Sequence, residues 1–142
     1  MGSEVEQELE DRWWLGLRNA TVEAVQVTGF NVVIAFGRGV AVTIESPASL
    51  GDSSSQRRTD AIRRNRDGSI SASVALMSLQ GKRVVSGVGF KTGTLRIVFD
   101  PGTFLTVPYD EAFEAWHLNG ASGRRWVSLP GGGLATYPPG RA

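Results

Sequence analysis

Two stretches of this sequence share one pattern, and that pattern limits the folds open to the chain. NVVIAFGRGVAVTI (31–44) lies over TLRIVFDPGTFLTV (94–107), with Val32 on Leu95, Ile34 on Ile97, Phe36 on Phe99, Gly39 on Gly102, Val42 on Leu105 and Ile44 on Val107. Every second residue is apolar in each. Successive side chains of an extended chain point to opposite sides, so this period marks strands with one buried face. The centres, Gly37-Arg38-Gly39 and Asp100-Pro101-Gly102, have turn chemistry: proline presets one backbone angle and glycine accepts a positive φ. Each stretch therefore reads as a hairpin. Upstream, Leu17, Val22 and Val25 find counterparts in Leu79, Val84 and Val88, with one residue added in the second copy, and Val27 matches Phe90. The expectation is two related antiparallel three-stranded units, over about 17–45 and 79–107, packed as a sheet pair or roll.

The remaining segments read less regularly. Residues 46–70 are polar and rich in Ser and Arg, which predicts a long loop or at most a short irregular element. In SASVALMSLQ (71–80) the apolar spacing predicts one short helix capped by Ser71 and ended by Gly81, with a strand as the competing reading. FEAWHLNG alternates, Asn119-Gly120 opens a turn, and RRWVSL returns as the partner strand of a C-terminal β-hairpin. Gly131-Gly132-Gly133 reverses the chain before LATY, and Pro138-Pro139 stop it. The fold class is thus α+β, mainly β. One β-rich domain over 13–137 is expected between an acidic flexible tail (1–12) and a short C-terminal tail (138–142).

Composition narrows the chemistry. A chain of 142 residues that is 41% hydrophobic and 20% charged can bury a core without covalent staples. The absence of cysteine excludes disulfides, thiolate nucleophiles and Cys-based zinc sites. No apolar run approaches the roughly 18 residues of a membrane helix, and MGSEVEQELEDRWW is acidic where a signal peptide is basic and then apolar, so a soluble cytoplasmic protein is expected. A formal charge of +1 supplies no global field for nucleic acid or membrane.

At the C-terminal residues E-A-W-x-L-x-G (114–120) and V-S-L-P-G-G-G-L-A (127–135) the chain resembles a family of small actinobacterial proteins of unknown function, whose members similarly begin with a segment like Trp14-Leu15-Gly16-Leu17. The resemblance covers about 13 to 137. It implies no catalytic residue, only that the final glycines belong to a shared framework.

Candidate sites are few. The glycine run lacks the Lys-Ser/Thr and the helix of a phosphate loop, and GVGFKTG (87–93) has the wrong spacing for a dinucleotide fingerprint; a turn is the plainer reading. His117, the one histidine, has Asp110, Glu111 and Glu114 nearby in sequence but no nucleophile elbow and no second histidine for a metal. Arg57, Arg58, Arg63, Arg64 and Arg66 form the strongest charge feature, diluted by Asp60 and Asp67 and without interleaved aromatics. Trp13 and Trp14 must face opposite sides of a strand. Trp116 and Trp126 flank the Asn119-Gly120 turn, and tryptophan beside Arg124 and Arg125 makes a binding anchor if exposed, core if not.

The expected function is non-enzymatic binding of a protein partner, for instance neutralising a toxin or regulating the partner, through those arginines and through Trp116, Arg124, Arg125 and Trp126. Nucleic-acid or anionic-ligand binding by the 57–66 segment is the alternative. A small hydrolase using His117 with Asp110 or Glu114 is the third reading. No cofactor, metal or membrane partner is expected, and exposed strand edges allow a homodimer.

Overall fold

The computed structural model describes residues 5–55 and 57–140. Residues 1–4, 56 and 141–142, which include the outer parts of both expected tails and one position of the 46–70 segment, lie outside the described residues. The chain forms β1 (Gln7–Glu8), β2 (Arg12–Trp14), β3 (Ala24–Val27), β4 (Val32–Ala35), β5 (Ala41–Ile44), β6 (Ala48–Asp52) and β7 (Arg58–Arg64). There follow β8 (Ile70–Ala72), β9 (Val84–Phe90), β10 (Leu95–Phe99), β11 (Thr103–Val107), β12 (Trp116–Asn119), β13 (Arg125–Ser128) and β14 (Leu134–Tyr137). Among the described residues these strands form two antiparallel sheets. One has eight strands in the order β1-β2-β9-β10-β11-β6-β7-β8, the other six in the order β14-β13-β12-β5-β4-β3.

The two stretches that share a pattern become one meander in each sheet: β3-β4-β5 in the smaller, β9-β10-β11 in the larger. Their registers pair the aligned positions. Val32 faces Ile44 and Ile34 faces Val42 in one hairpin; Leu95 faces Val107 and Ile97 faces Leu105 in the other. All eight side chains are fully buried. The turns differ in shape. Gly37, Arg38 and Gly39 all take positive φ, whereas the second turn has a cis Asp100–Pro101 bond followed by Gly102. Where the meanders begin they bond to one another: Asn19 N–H donates to Val84 O (2.9 Å), Val84 N–H to Ala20 O (2.7 Å) and Val22 N–H to Lys82 O (2.9 Å).

The inner faces of both sheets make one core. Trp13 of the larger sheet meets Trp126 of the smaller edge-to-face, with centroids 5.6 Å apart. Trp116 is fully buried and donates its indole N–H to Gly93 O (2.9 Å). Glycines on the inner side of β9 make room for this filling. A Cβ at Gly87 would stand 2.7 Å from Leu17 Cδ1, and one at Gly89 would stand 3.2 Å from the Trp116 ring. β9 is therefore a strand whose missing side chains admit large ones from elsewhere.

Three expectations need correction. The 46–70 segment is not a loop but carries β6 and β7, hydrogen-bonded to β11 and to β8. Most of its polar residues are exposed, with exceptions that include buried Ser46 and half-buried Arg64, and Ala48, Leu50, Ala61, Ile62 and Ile70 suffice as buried apolar ones. The piece after it is a six-residue 3-10 segment, Val74–Leu79, rather than an α-helix. Its cap is Ser73, whose hydroxyl accepts from Ala75 N–H (3.1 Å), because Ser71 is already committed to β8. Finally, residues 7–8 of the acidic tail form β1, paired to β2, and Lys91 bridges to Glu8 (2.7 Å).

Candidate functional site

The glycine turn spends its donors on the fold. Gly131 N–H donates to Asp110 O (2.8 Å), Gly132 N–H to Leu129 O (3.0 Å) and Gly133 N–H to Thr92 O (2.8 Å). An anion cradle needs convergent free N–H groups. Here all three are occupied, and the turn clasps the β9–β10 hairpin instead.

His117 lies on the outer side of the smaller sheet, between Thr43 and Val127 across the strands, and is half-buried. Among the described residues its imidazole has no hydrogen bond or ion pair, and the Asp110 carboxylate is used elsewhere. Asp110 accepts from Ser46 Oγ (2.9 Å), Arg64 Nη2 (3.0 Å), Ala112 N–H (2.9 Å) and Phe113 N–H (3.2 Å). Burial pushes this carboxyl up, but the two N–H groups, the Ser46 hydroxyl and the Arg64 guanidinium together outweigh it and hold it below the ordinary aspartate value. Among the described residues no cluster of three His, Asp or Glu side chains could hold a metal ion.

The sequence-selected binding residues do not form one surface. Trp116 and Trp126 are fully buried, so they are core rather than contact residues; the hairpin that carries them turns its large side chains inward over Gly89 and Trp13. Arg124 lies over the Trp13 ring at 5.0 Å and donates to Thr136 Oγ1 (3.2 Å), while Arg125 is exposed on the outer side of the smaller sheet. Strand alternation and a bulge at Ala61 scatter the arginine run. Ser49 faces Asp60 and Ala48 faces Ile62, so one residue is passed over. Arg64 goes to Asp110, Arg63 pairs with Asp60 at 3.4 Å, and Arg57 and Arg66 stand exposed. Arg58 and Arg63 turn onto the outer face of the larger sheet, where Arg63 is held by Asp60 and Arg58 has no carboxylate partner among the described residues.

That face brings together residues the sequence reading passed over. Across the strands, one row runs Trp14, Val88, Arg96, Thr106, Ser49 and Asp60. The next runs Ser86, Val98, Phe104, Gly51 and Arg58. Three guanidinium groups lie over aromatic rings: Arg12 over Phe90 (4.8 Å), Arg96 over Phe104 (4.9 Å) and Arg58 over Phe104 (5.6 Å). Gly51 seats the Phe104 ring, since a Cβ there would stand 2.3 Å from it. Arg12 shares its charge with Asp11 (2.9 Å), whereas Arg58 and Arg96 have no carboxylate partner among the described residues. The available signal was the second phase of the alternation. The outward positions of the β9–β11 meander are not uniformly polar but include Val88, Phe90, Val98 and Phe104.

Among the described residues no helix is long and apolar enough to cross a membrane. No curated protein and no solved structure matches the chain. Residues 13–138 do match a recognised family, nearly the whole of the two-sheet structure, and the chain therefore belongs to DUF6188, a family of unknown function.

Proposed function

We propose that this protein is a non-enzymatic binding module whose working surface is the outer face of the eight-stranded sheet and whose partner is a protein surface bearing carboxylates. The observation that carries the reading is the trio of guanidinium groups seated on Phe90 and Phe104. A guanidinium stacked on a ring has lost much of its rotamer freedom before any partner arrives; the N–H forks of Arg58 and Arg96 remain free to meet a carboxylate, while that of Arg12 is held by Asp11. Trp14, Val88 and Val98 lie beside it as the apolar ground that contact anchors need.

Single-stranded nucleic acid fits this face less well. Base stacking needs vacant ring faces, and here Arg12, Arg58 and Arg96 occupy them. A net charge of +1 also gives phosphates little long-range attraction.

Affinity capture from native lysate, run in parallel with the wild type and the double charge reversal R58E/R96E, tests the reading. One anchoring arginine is worth about 2 kcal/mol, so the double variant should weaken capture by at least about thirty-fold while melting at the wild-type temperature. The reading fails if both forms retain the same proteins equally, or if only a single-stranded oligonucleotide binds and R58E/R96E abolishes that binding.

A further inference from the structure

A cleft of about 540 Å³ opens where the β4–β5 turn, the β12–β13 turn and segment 16–21 meet, and none of its lining residues belongs to the arginine-bearing sheet face. Its apolar lining comes from Leu17, Phe36 and Val40, which are largely buried and form the floor, and from the more accessible Ala20 and Ala121. Two cations, Arg18 and Arg38, also line it. Both are exposed, and neither side chain has a hydrogen bond or ion pair among the described residues. One carboxylate, that of Glu23, lies beside the turn, 3.1 Å from where a Cβ on Gly37 would stand, but Glu23 does not line the cleft.

The backbone beneath Arg38 is strained. Arg38 has φ 58°, between Gly37 at 84° and Gly39 at 77°. Glycine enters this left-handed region freely, but a long side chain there crowds its own carbonyl. An exposed, unpaired arginine stabilises nothing in the turn, and glycine would hold the same conformation with less strain. Strain of this kind is found where the side chain is needed for something other than folding. Asn19, across the cleft, has φ 70° and is held by Arg83 Nη1 (2.9 Å), so the opposite wall is braced.

We infer that this cleft binds a small organic anion with an apolar body, its carboxylate or phosphate head meeting Arg18 and Arg38 and its hydrocarbon part lying on Ala20, Ala121 and the exposed edges of Phe36 and Val40. An apolar hollow with a few convergent polar groups is the usual form of a small-molecule site, and two guanidinium groups specify an anionic head. The inference stands apart from the sheet-face reading, because the two surfaces share no residue.

Amide chemical-shift titrations with octanoate and with octyl phosphate test it, with octan-1-ol as the uncharged control. At least one of the two anions should give saturable shifts concentrated at Leu17, Phe36, Val40 and Ala121, and octan-1-ol should give much smaller ones. The variants R38G and R18Q should each weaken the anion at least tenfold. R38G should also melt above the wild type, a gain that a residue serving only the fold would not give. R58E/R96E should bind the anion as the wild type does, which separates this site from the sheet face. Absence of localised shifts with both anions, equal shifts with octan-1-ol, or affinities within twofold for R38G and R18Q would overturn the inference.

Discussion

Replacing Asp110 with asparagine removes one charge from a cluster that ties three distant parts of the chain together. Asp110 Oδ2 takes the Ser46 hydroxyl (2.9 Å) and Arg64 Nη2 (3.0 Å), and Oδ1 takes the N–H groups of Ala112 and Phe113. Asparagine can keep its oxygen toward the two backbone donors. Its amide nitrogen would then face Arg64, which has donors only, while Ser46 can rotate to accept. Hydrogen bonds to charged groups are worth about 1.5–3 kcal/mol each, and removing one partner of a fully buried pair costs about 3–5 kcal/mol. Here the side chains of Arg64 and Asp110 keep 25% and 19% of their exposure, so solvent screens part of that loss. The expected cost of D110N is about 2–3 kcal/mol at pH 7, or a fall in melting temperature of roughly 6–12 °C for a domain of this size. The pH dependence has a defined sign. Asp110 is held below the ordinary 3.8, so its contribution is complete above that value and is lost as pH falls through the lower folded-state value. Urea unfolding of both proteins between pH 7 and pH 2.5 measures this. The wild-type advantage should be constant at neutral pH and shrink only in the acid limb. A D110N protein within about 0.5 kcal/mol of wild type at pH 7, or a gap that persists unchanged at pH 2.5, would refute the reasoning and return Arg64 to the set of free cations.

Other substitutions probe other links of the structure. Ile34→Ala and Ile97→Ala each remove a fully buried side chain, one from each meander, and each should cost about 2–5 kcal/mol in denaturant unfolding. Gly87→Val drives a side chain into Leu17, already 2.7 Å from an added Cβ, and should destabilise by about 2–3 kcal/mol, with partial recovery in the double variant L17A/G87V. Trp116→Phe deletes the indole donor to Gly93 O, a carbonyl that also accepts from Ser128 Oγ (2.7 Å), so a loss of about 1–3 kcal/mol is expected rather than unfolding. His117→Ala, at a half-buried outward position without a hydrogen bond, should shift stability by less than about 1 kcal/mol.

Side-chain alternation is a local property, and what it governs could be read directly from the chain. Val32, Ile34, Val42 and Ile44, with Leu95, Ile97, Leu105 and Val107, declare both their strands and the face each strand buries, and the turns between them set the registers. The C-terminal hairpin about Asn119-Gly120 and the reversal at the glycine run follow from the same local chemistry. Strand pairing between distant segments is not local. SPASLGDSSSQRRTDAIRRNRD has too few apolar residues to announce strands, yet it forms β6 and β7 because the free edge of β11 supplies hydrogen bonds that the isolated segment lacks. The fate of the tryptophans was likewise decided at a distance: Trp116 enters the core only because Gly89 leaves space for it. Charge followed the same division. Five arginines adjacent in sequence were dispersed by alternation and a bulge, while Arg12, Arg58 and Arg96, far apart in sequence, were gathered over Phe90 and Phe104. A strand's own period tells which side a residue takes, but only the neighbouring strands decide what lies beside it.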